Sequence, residues 1–77
     1  RLQAAQAQVQ AAERRARLAA ETRGFYDKSF RLGESDLPTR LRVELEAAEA
    51  QRALAKSRIE AAAAVSQLRQ AMGLLPE

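Results

Sequence analysis

The sequence predicts an all-α chain folded as an antiparallel two-helix coiled-coil hairpin. Three observations indicate this fold: a helix-forming composition, apolar residues at 3–4 spacing, and one central cluster of turn residues. Ala, Leu, Gln, Glu, Arg and Lys make up most of the 77 residues, whereas Val, Ile and Thr together number six. The abundant residues lose little conformational freedom in a helix, so strands are excluded in practice.

The turn cluster lies at residues 32–38 and separates the two helices. Gly33 suits the position that follows a helix, because glycine adopts the left-handed conformation there without strain. Pro38 fits the first turn of a helix but not its interior. Either Ser35 or Asp36 can cap the second helix, and the sequence leaves that choice open.

These signals divide the chain, which we predict to be a single hairpin spanning residues 1–77 and a fragment of a larger protein. The first helix is predicted over about residues 2–32 and the second over about residues 37–72, with the turn at 33–36. Gly73 and Pro76 then follow the second helix.

Gly24 falls inside the first predicted helix, where a glycine costs about 1 kcal/mol relative to alanine. It can mark a kink, a close helix contact, or a glycine that is simply tolerated.

A four-residue turn makes the helices antiparallel, so their apolar stripes can be paired. The facing stripe of the first helix is predicted at Leu2, Ala5, Val9, Ala12, Ala16, Ala19, Tyr26 and Phe30. The facing stripe of the second is predicted at Leu41, Leu45, Ala48, Ala55, Ile59 and Ala62. Paired residues have numbers that sum to about 68, and the hairpin should be about 50 Å long.

A second apolar stripe runs along each helix. It comprises Ala4, Ala11, Leu18, Phe25 and Leu32 on the first helix, and Ala47, Leu54, Ala61, Leu68 and Leu75, with Val65 and Met72, on the second. A free hairpin needs one stripe per helix, so two stripes predict lateral packing into a larger helical bundle or barrel wall. Exposed alanine as a plain helix former is the alternative. Beyond about Val65 the second helix should also extend past the start of the first, leaving Leu68, Met72, Leu74 and Leu75 uncovered.

Composition excludes several classes of function. The chain has no Cys and no His, so it offers no disulfide, no Cys/His zinc site and no activated nucleophile. We therefore expect no enzyme activity, no metal and no cofactor. The net charge of +3 comes from basic residues interrupted by acids, which disfavours nucleic acid as a partner. No apolar run approaches about 18 residues, so we expect that this segment does not itself span a membrane.

Residues 26–37, YDKSFRLGESDL, are followed by a long Ala/Leu/Glu/Arg helix that ends in LRQAMGLLP at 68–76. This order resembles the last periplasmic hairpin of outer-membrane efflux proteins, the TolC-like family. That family shows an aromatic residue, then Leu-Gly-Glu-Ser or similar, then a Leu-rich helix with an Ala-hydrophobic-Gly ending before a Pro. The resemblance covers nearly the whole chain, and Leu-Gly-Glu-Ser-Asp-Leu is most similar to the heavy-metal cation efflux branch. Gly24 and Pro38 depart from the family pattern.

The resemblance implies a structural role. In the family, three copies build a helical tunnel in the periplasm of Gram-negative bacteria, continuous with an outer-membrane β-barrel. The hairpin tip faces a periplasmic adaptor protein, which links the tunnel to an inner-membrane pump. Carried over to this chain, the docking residues are Arg31, Leu32, Gly33, Glu34, Ser35, Asp36 and Leu37. The alternative is a generic coiled-coil interaction module of an unrelated multidomain protein.

Overall fold

The computed structural model describes residues 2–73, which form two α-helices joined by a short turn. Helix α1 spans Leu2–Arg31 and helix α2 spans Leu37–Ala71, so each helix ends one residue before its predicted boundary. The two helices pack against each other in a rod of 60 × 17 × 16 Å, somewhat longer than expected. The predicted all-α hairpin is confirmed.

The predicted facing stripe of α1 is also confirmed. All eight of its residues are buried or half-buried, and Ala16 is the most enclosed at 3% exposure. Ala16 packs with Ala50 and Leu54 of α2 in a small core, against which Val9, Ala12 and Ala19 also lie. We call this line of contact the seam. Because alanines dominate it, the two backbones can approach closely along the middle of the rod.

The predicted facing stripe of α2 is wrong. Its three large residues are exposed, Leu41 by 51%, Leu45 by 68% and Ile59 by 70%, and its alanines are exposed too. The residues that α2 buries are instead Val43, Ala47, Ala50 and Leu54. Ala47 and Leu54 belong to the stripe that was predicted to meet a second neighbour, so the two stripes of α2 have exchanged roles.

Packing and charge both favour the observed face of α2. The observed face of α2 offers two alanines, one valine and one leucine to the alanines of α1, and so lets the helices make continuous contact. The other face would place three large residues, Leu41, Leu45 and Ile59, along the same line and hold the backbones further apart. The same rotation brings Arg40 and Arg58 to the edges of the seam. There they meet Asp27 at 2.6 Å and Glu13 at 3.5 Å across the helix pair.

These two ion pairs also fix the height at which the helices meet. Arg40 with Asp27, and Arg58 with Glu13, agree with the predicted register to within one turn of helix. The register is therefore correct even though Leu41 and Ile59, which were predicted to face α1, are exposed.

The far end of α2 is largely uncovered, as expected. Leu2 and Leu68 border the same small surface cavity, but every described residue after Ser66 is exposed. Leu68 is 44% exposed and Met72 is 66% exposed, and Gly73 follows the helix with a φ of +76°. The predictions for Leu74, Leu75 and Pro76 lie outside the described residues.

The assignment of the inner face of α2 can be tested with two matched truncations. Leu54→Ala should lower the free energy of unfolding by about 2–4 kcal/mol, because it removes the largest buried side chain of the seam. Leu45→Ala should change it by less than about 0.5 kcal/mol at concentrations too low for self-association. Urea unfolding followed by circular dichroism measures both, and a larger effect at Leu45 would contradict the observed face.

Candidate functional site

The tip of the hairpin begins where α1 ends, and Gly33 is the residue that terminates this helix. Gly33 has a φ of +77°, its N–H donates to Phe30 O at 3.0 Å, and the Glu34 N–H donates to Ser29 O at 2.8 Å. These two bonds form a Schellman motif, which satisfies carbonyl groups that the end of a helix leaves free. The chain therefore reverses within a few residues.

Helix α2 begins with Asp36 as its N-cap, which decides between the two candidates left open by the sequence. The Asp36 carboxylate accepts from the Thr39 N–H at 3.0 Å, and Pro38 occupies the first turn of the helix. The Asp36 carboxylate accepts hydrogen bonds from Thr39, and these hold its pKa below the ordinary value of 3.8. The bond from the Thr39 side chain has the largest effect, and the bond from the Thr39 backbone N–H the second largest. Asp36 thus stabilises α2 as a carboxylate, and this contribution is lost as the pH falls below that ordinary pKa.

Behind the turn, Arg40 joins the two helices. Its Nη2 lies 2.6 Å from Asp27 Oδ1, its Nε lies 3.5 Å from Glu44 Oε2, and its guanidinium lies 4.8 Å from the centre of the Phe30 ring. The other carboxylate oxygen of Asp27 is 3.1 Å from Arg31 Nη2. We call Asp27, Phe30, Arg31, Arg40 and Glu44 the clasp.

The structure brings all seven predicted tip residues together on the turn, but it gives them different surroundings. Arg31 and Asp36 are already engaged with residues of the hairpin, while Glu34 has no ion-pair partner among residues 2–73. Leu32 is 65% exposed and Leu37 is 50% exposed. A Cβ placed on Gly33 would meet no atom within 4 Å, so the outer side of the turn is open.

The second surface of interest is the apolar face that each helix turns away from the seam. On α1 the predicted second stripe is exposed, with Leu18, Phe25 and Leu32 each at 65%. On α2 the exposed stripe is the one that contains Leu41, Leu45 and Ile59. We call these the outer stripes, of α1 (Ala4, Ala11, Leu18, Phe25, Leu32) and of α2 (Leu41, Leu45, Ala48, Ala55, Ile59, Ala62).

The two outer stripes lie on opposite flanks of the hairpin, one on the side of α1 away from α2 and the other on the side of α2 away from α1. The grooves between the helices do not separate them: Leu18 borders the groove that Glu46 and Glu49 line, and Leu45 borders a depression lined by the same two glutamates. The hairpin therefore presents one apolar stripe beyond each helix.

Gly24 lies on the exposed side of an unbroken α1, and a Cβ placed on it would meet no atom within 4 Å. The interpretation as a close contact with the other helix of this chain is therefore wrong.

Two functional features are not found among residues 2–73. No helix there is long and apolar enough to cross a membrane. No group of three or more Asp or Glu side chains in that range is placed to hold a metal ion. Glu44, whose carboxylate contacts Arg40, and Glu46, which accepts from Arg42 at 3.3 Å, are both engaged with arginines.

Comparison with known proteins adds no relative. No protein-family model matches the chain, and neither a curated protein nor a solved structure matches it.

The two internal glycines give a paired test of the tip. Gly33→Ala should lower the free energy of unfolding by about 1–2 kcal/mol, because a side chain is strained at a positive φ. Gly24→Ala should raise it by up to about 1 kcal/mol, because alanine favours the helix and the space is open. Thermal unfolding of both variants in dilute solution measures the difference, and shifts of the same sign would contradict this description.

Proposed function

We propose that this chain is a structural segment of a helical wall, the periplasmic tunnel of a trimeric outer-membrane efflux channel, and that its tip docks a periplasmic adaptor protein. The observation that carries the proposal is the pair of outer stripes on opposite flanks of one hairpin. The order of the tip and second-helix residues, which resembles the TolC-like family, gives the proposal its particular form.

The outer stripes fit a wall better than a simple pair of hairpins. A wall or a ring places one neighbour on the left and one on the right of each hairpin, so each flank needs its own apolar stripe. A two-fold pair of hairpins would use one surface and leave the other exposed. Because Leu18 on α1 and Leu45 on α2 both face away from the seam and each is exposed by 65% or more, the outer sides of both helices need cover.

The thin seam supports the same role. Its buried residues are alanines, one valine and one leucine, which is too little apolar volume to stabilise a hairpin of this length strongly by itself. Lateral neighbours would add burial at the outer stripes without any change in the contact between α1 and α2. In such a wall the shortage of large residues in the seam is offset by contacts with other helices.

The tip supports docking of a partner protein. Its exposed residues combine two leucines, an open glycine and the carboxylate of Glu34, on a turn that two helix-end motifs hold in place. A partner backbone can approach closely at Gly33, and a partner cation can pair with Glu34. In this arrangement the partner, and not this chain, would connect the tunnel to the inner-membrane pump.

In this role the chain is a conduit element without chemistry of its own, in the periplasm of a Gram-negative bacterium. It needs no catalytic group and no cofactor, because transport through a tunnel depends on the shape and lining of the wall. The run Leu-Gly-Glu-Ser-Asp-Leu at residues 32–37 is the reason to extend the proposal to heavy-metal cations as the exported substrate.

Lateral packing predicts that the isolated chain self-associates. Sedimentation equilibrium should show oligomers whose population rises with concentration, because two apolar stripes are left uncovered in the monomer. Leu18→Glu should weaken association at least about tenfold by placing a charge in the contact. Gln10→Glu, which adds the same charge at an exposed position away from the line of Ala4, Ala11 and Leu18, should leave it unchanged. A chain that stays monomeric at every concentration would contradict the wall.

Docking at the tip can be tested separately by cross-linking. With a thiol-reactive cross-linker and a purified periplasmic adaptor protein of a tripartite efflux system, Glu34→Cys should give at least about ten times more product than Gln51→Cys, because only the first lies on the proposed surface. Equal yields at both positions would favour the generic coiled-coil module instead. Association without tip-specific cross-linking would retain the wall and reject the adaptor.

A further inference from the structure

The fully buried core ends at Val43, six residues after the start of α2. Within residues 2–73, every buried residue is either Ala16 on α1 or lies between Val43 and Leu54 on α2. Between Val43 and the turn, Leu37 and Leu41 of α2 are each half exposed or more. On α1, only Tyr26 and Phe30 are half-buried large apolar residues at that height. The end of the hairpin next to the turn therefore lacks the packing that holds its middle together.

Polar contacts take the place of the core between Val43 and the turn. Arg40 and Asp27 are each about 30% exposed, which makes theirs the most shielded ion pair among the described residues. Their 2.6 Å contact crosses from one helix to the other, and the Phe30 ring beneath Arg40 adds a cation–π contact. The second cross-helix pair, Arg58 with Glu13, is longer at 3.5 Å and more exposed.

The motifs that end the helices do not substitute for the clasp. The hydrogen bonds of Gly33 and Glu34 run back into α1, and that of Asp36 runs forward into α2. Each stabilises its own helix and the turn, but neither holds the face of α1 against the face of α2. Contact between the helices from residue 26 to residue 42 thus depends on the clasp.

We infer that the tip segment, residues 26–42, opens as a unit separate from the body of the hairpin, and that the clasp controls this opening. Opening separates Arg40 from Asp27 and leaves the seam at Ala16, Ala50 and Leu54 intact. The contacts that control the opening are between charged groups. Ionic strength therefore changes the population of the open tip much more than it changes the stability of the apolar body. The shape of the tip is therefore adjustable without unfolding of the hairpin.

The inference stands apart from the proposed function, because it concerns the free chain and needs no partner. Its test is hydrogen exchange of backbone amides in Asp27→Asn, which removes the charge and keeps the size of the side chain. Once separated, the two short helix ends lose their packing and fray, so amides at residues 28–30 and 40–42 should exchange about tenfold faster than in the parent chain, while those around Ala16 and Ala50 keep their rates. The matched control is Glu13→Gln, which breaks the other cross-helix pair, Arg58 with Glu13, away from the tip and should leave exchange at the tip unchanged.

Salt provides a second measurement on the unaltered chain, should Asp27→Asn fail to fold. Tyr26 is the only tyrosine, there is no tryptophan, and its ring meets Phe25 edge-on at 5.2 Å. Raising NaCl from about 0.01 to 1 M should change Tyr26 emission and tip exchange while far-ultraviolet circular dichroism stays constant. Exchange that accelerates evenly along the hairpin, or that does not respond at the tip to either Asp27→Asn or salt, would overturn the inference.

Discussion

Close contact between small side chains is the constraint on which the rest of the structure depends. Ala16 and Ala50 are 3% and 1% exposed, and they hold the centre of a seam in which Leu54 is the largest buried residue. Alanine allows two helices to lie near each other over a long distance, but it buries little apolar surface per residue. The contact between the two helices is therefore straight and narrow, and it buries less apolar volume than a normal core does.

That constraint accounts for the distribution of the larger apolar residues. Leu18, Phe25, Leu45 and Ile59 do not fit a seam set by alanines, and they face outward toward both flanks. The tip follows the same logic, since Arg40, Asp27 and the Phe30 ring join the helices where the alanine contact has ended. The molecule thus contains a packed body, a polar tip and two uncovered stripes. Salt is expected to act mainly on the tip, and neighbouring hairpins mainly on the stripes.

Features that depend on neighbouring residues in the chain could be predicted from the sequence. Gly33 and Pro38 act through local backbone geometry, and the helix boundaries follow from them to within one residue. The facing stripe of α1 was also predictable, because its apolar residues repeat at 3–4 spacing, whereas the second stripe of that helix recurs only every seventh residue. The seven tip residues were predicted together, although their role at a partner stays a prediction.

The inner face of α2 could not be predicted in the same way. Helix α2 has apolar residues on two sides, so counting large residues favoured Leu41, Leu45 and Ile59, while the fold favoured the side that fits the alanines of α1. The contacts that decide the inner face of α2 join residues far apart in the sequence. For that reason the ion pair between Arg40 and Asp27 was not predicted. A usable signal was present: Arg40 lies in the first turns of α2 at the height where the predicted register places Asp27.

The most direct test of the account is methyl NMR of the chain with a soluble paramagnetic agent, recorded in dilute and in concentrated solution. In dilute solution the methyl groups of Leu45 and Ile59 should relax strongly, while those of Val43 and Leu54 are protected by the alanine seam. In concentrated solution Leu45, Ile59 and Leu18 should become protected as neighbouring hairpins cover the outer stripes. Protection of Leu45 and Ile59 with exposure of Val43 and Leu54 in the dilute chain would contradict it.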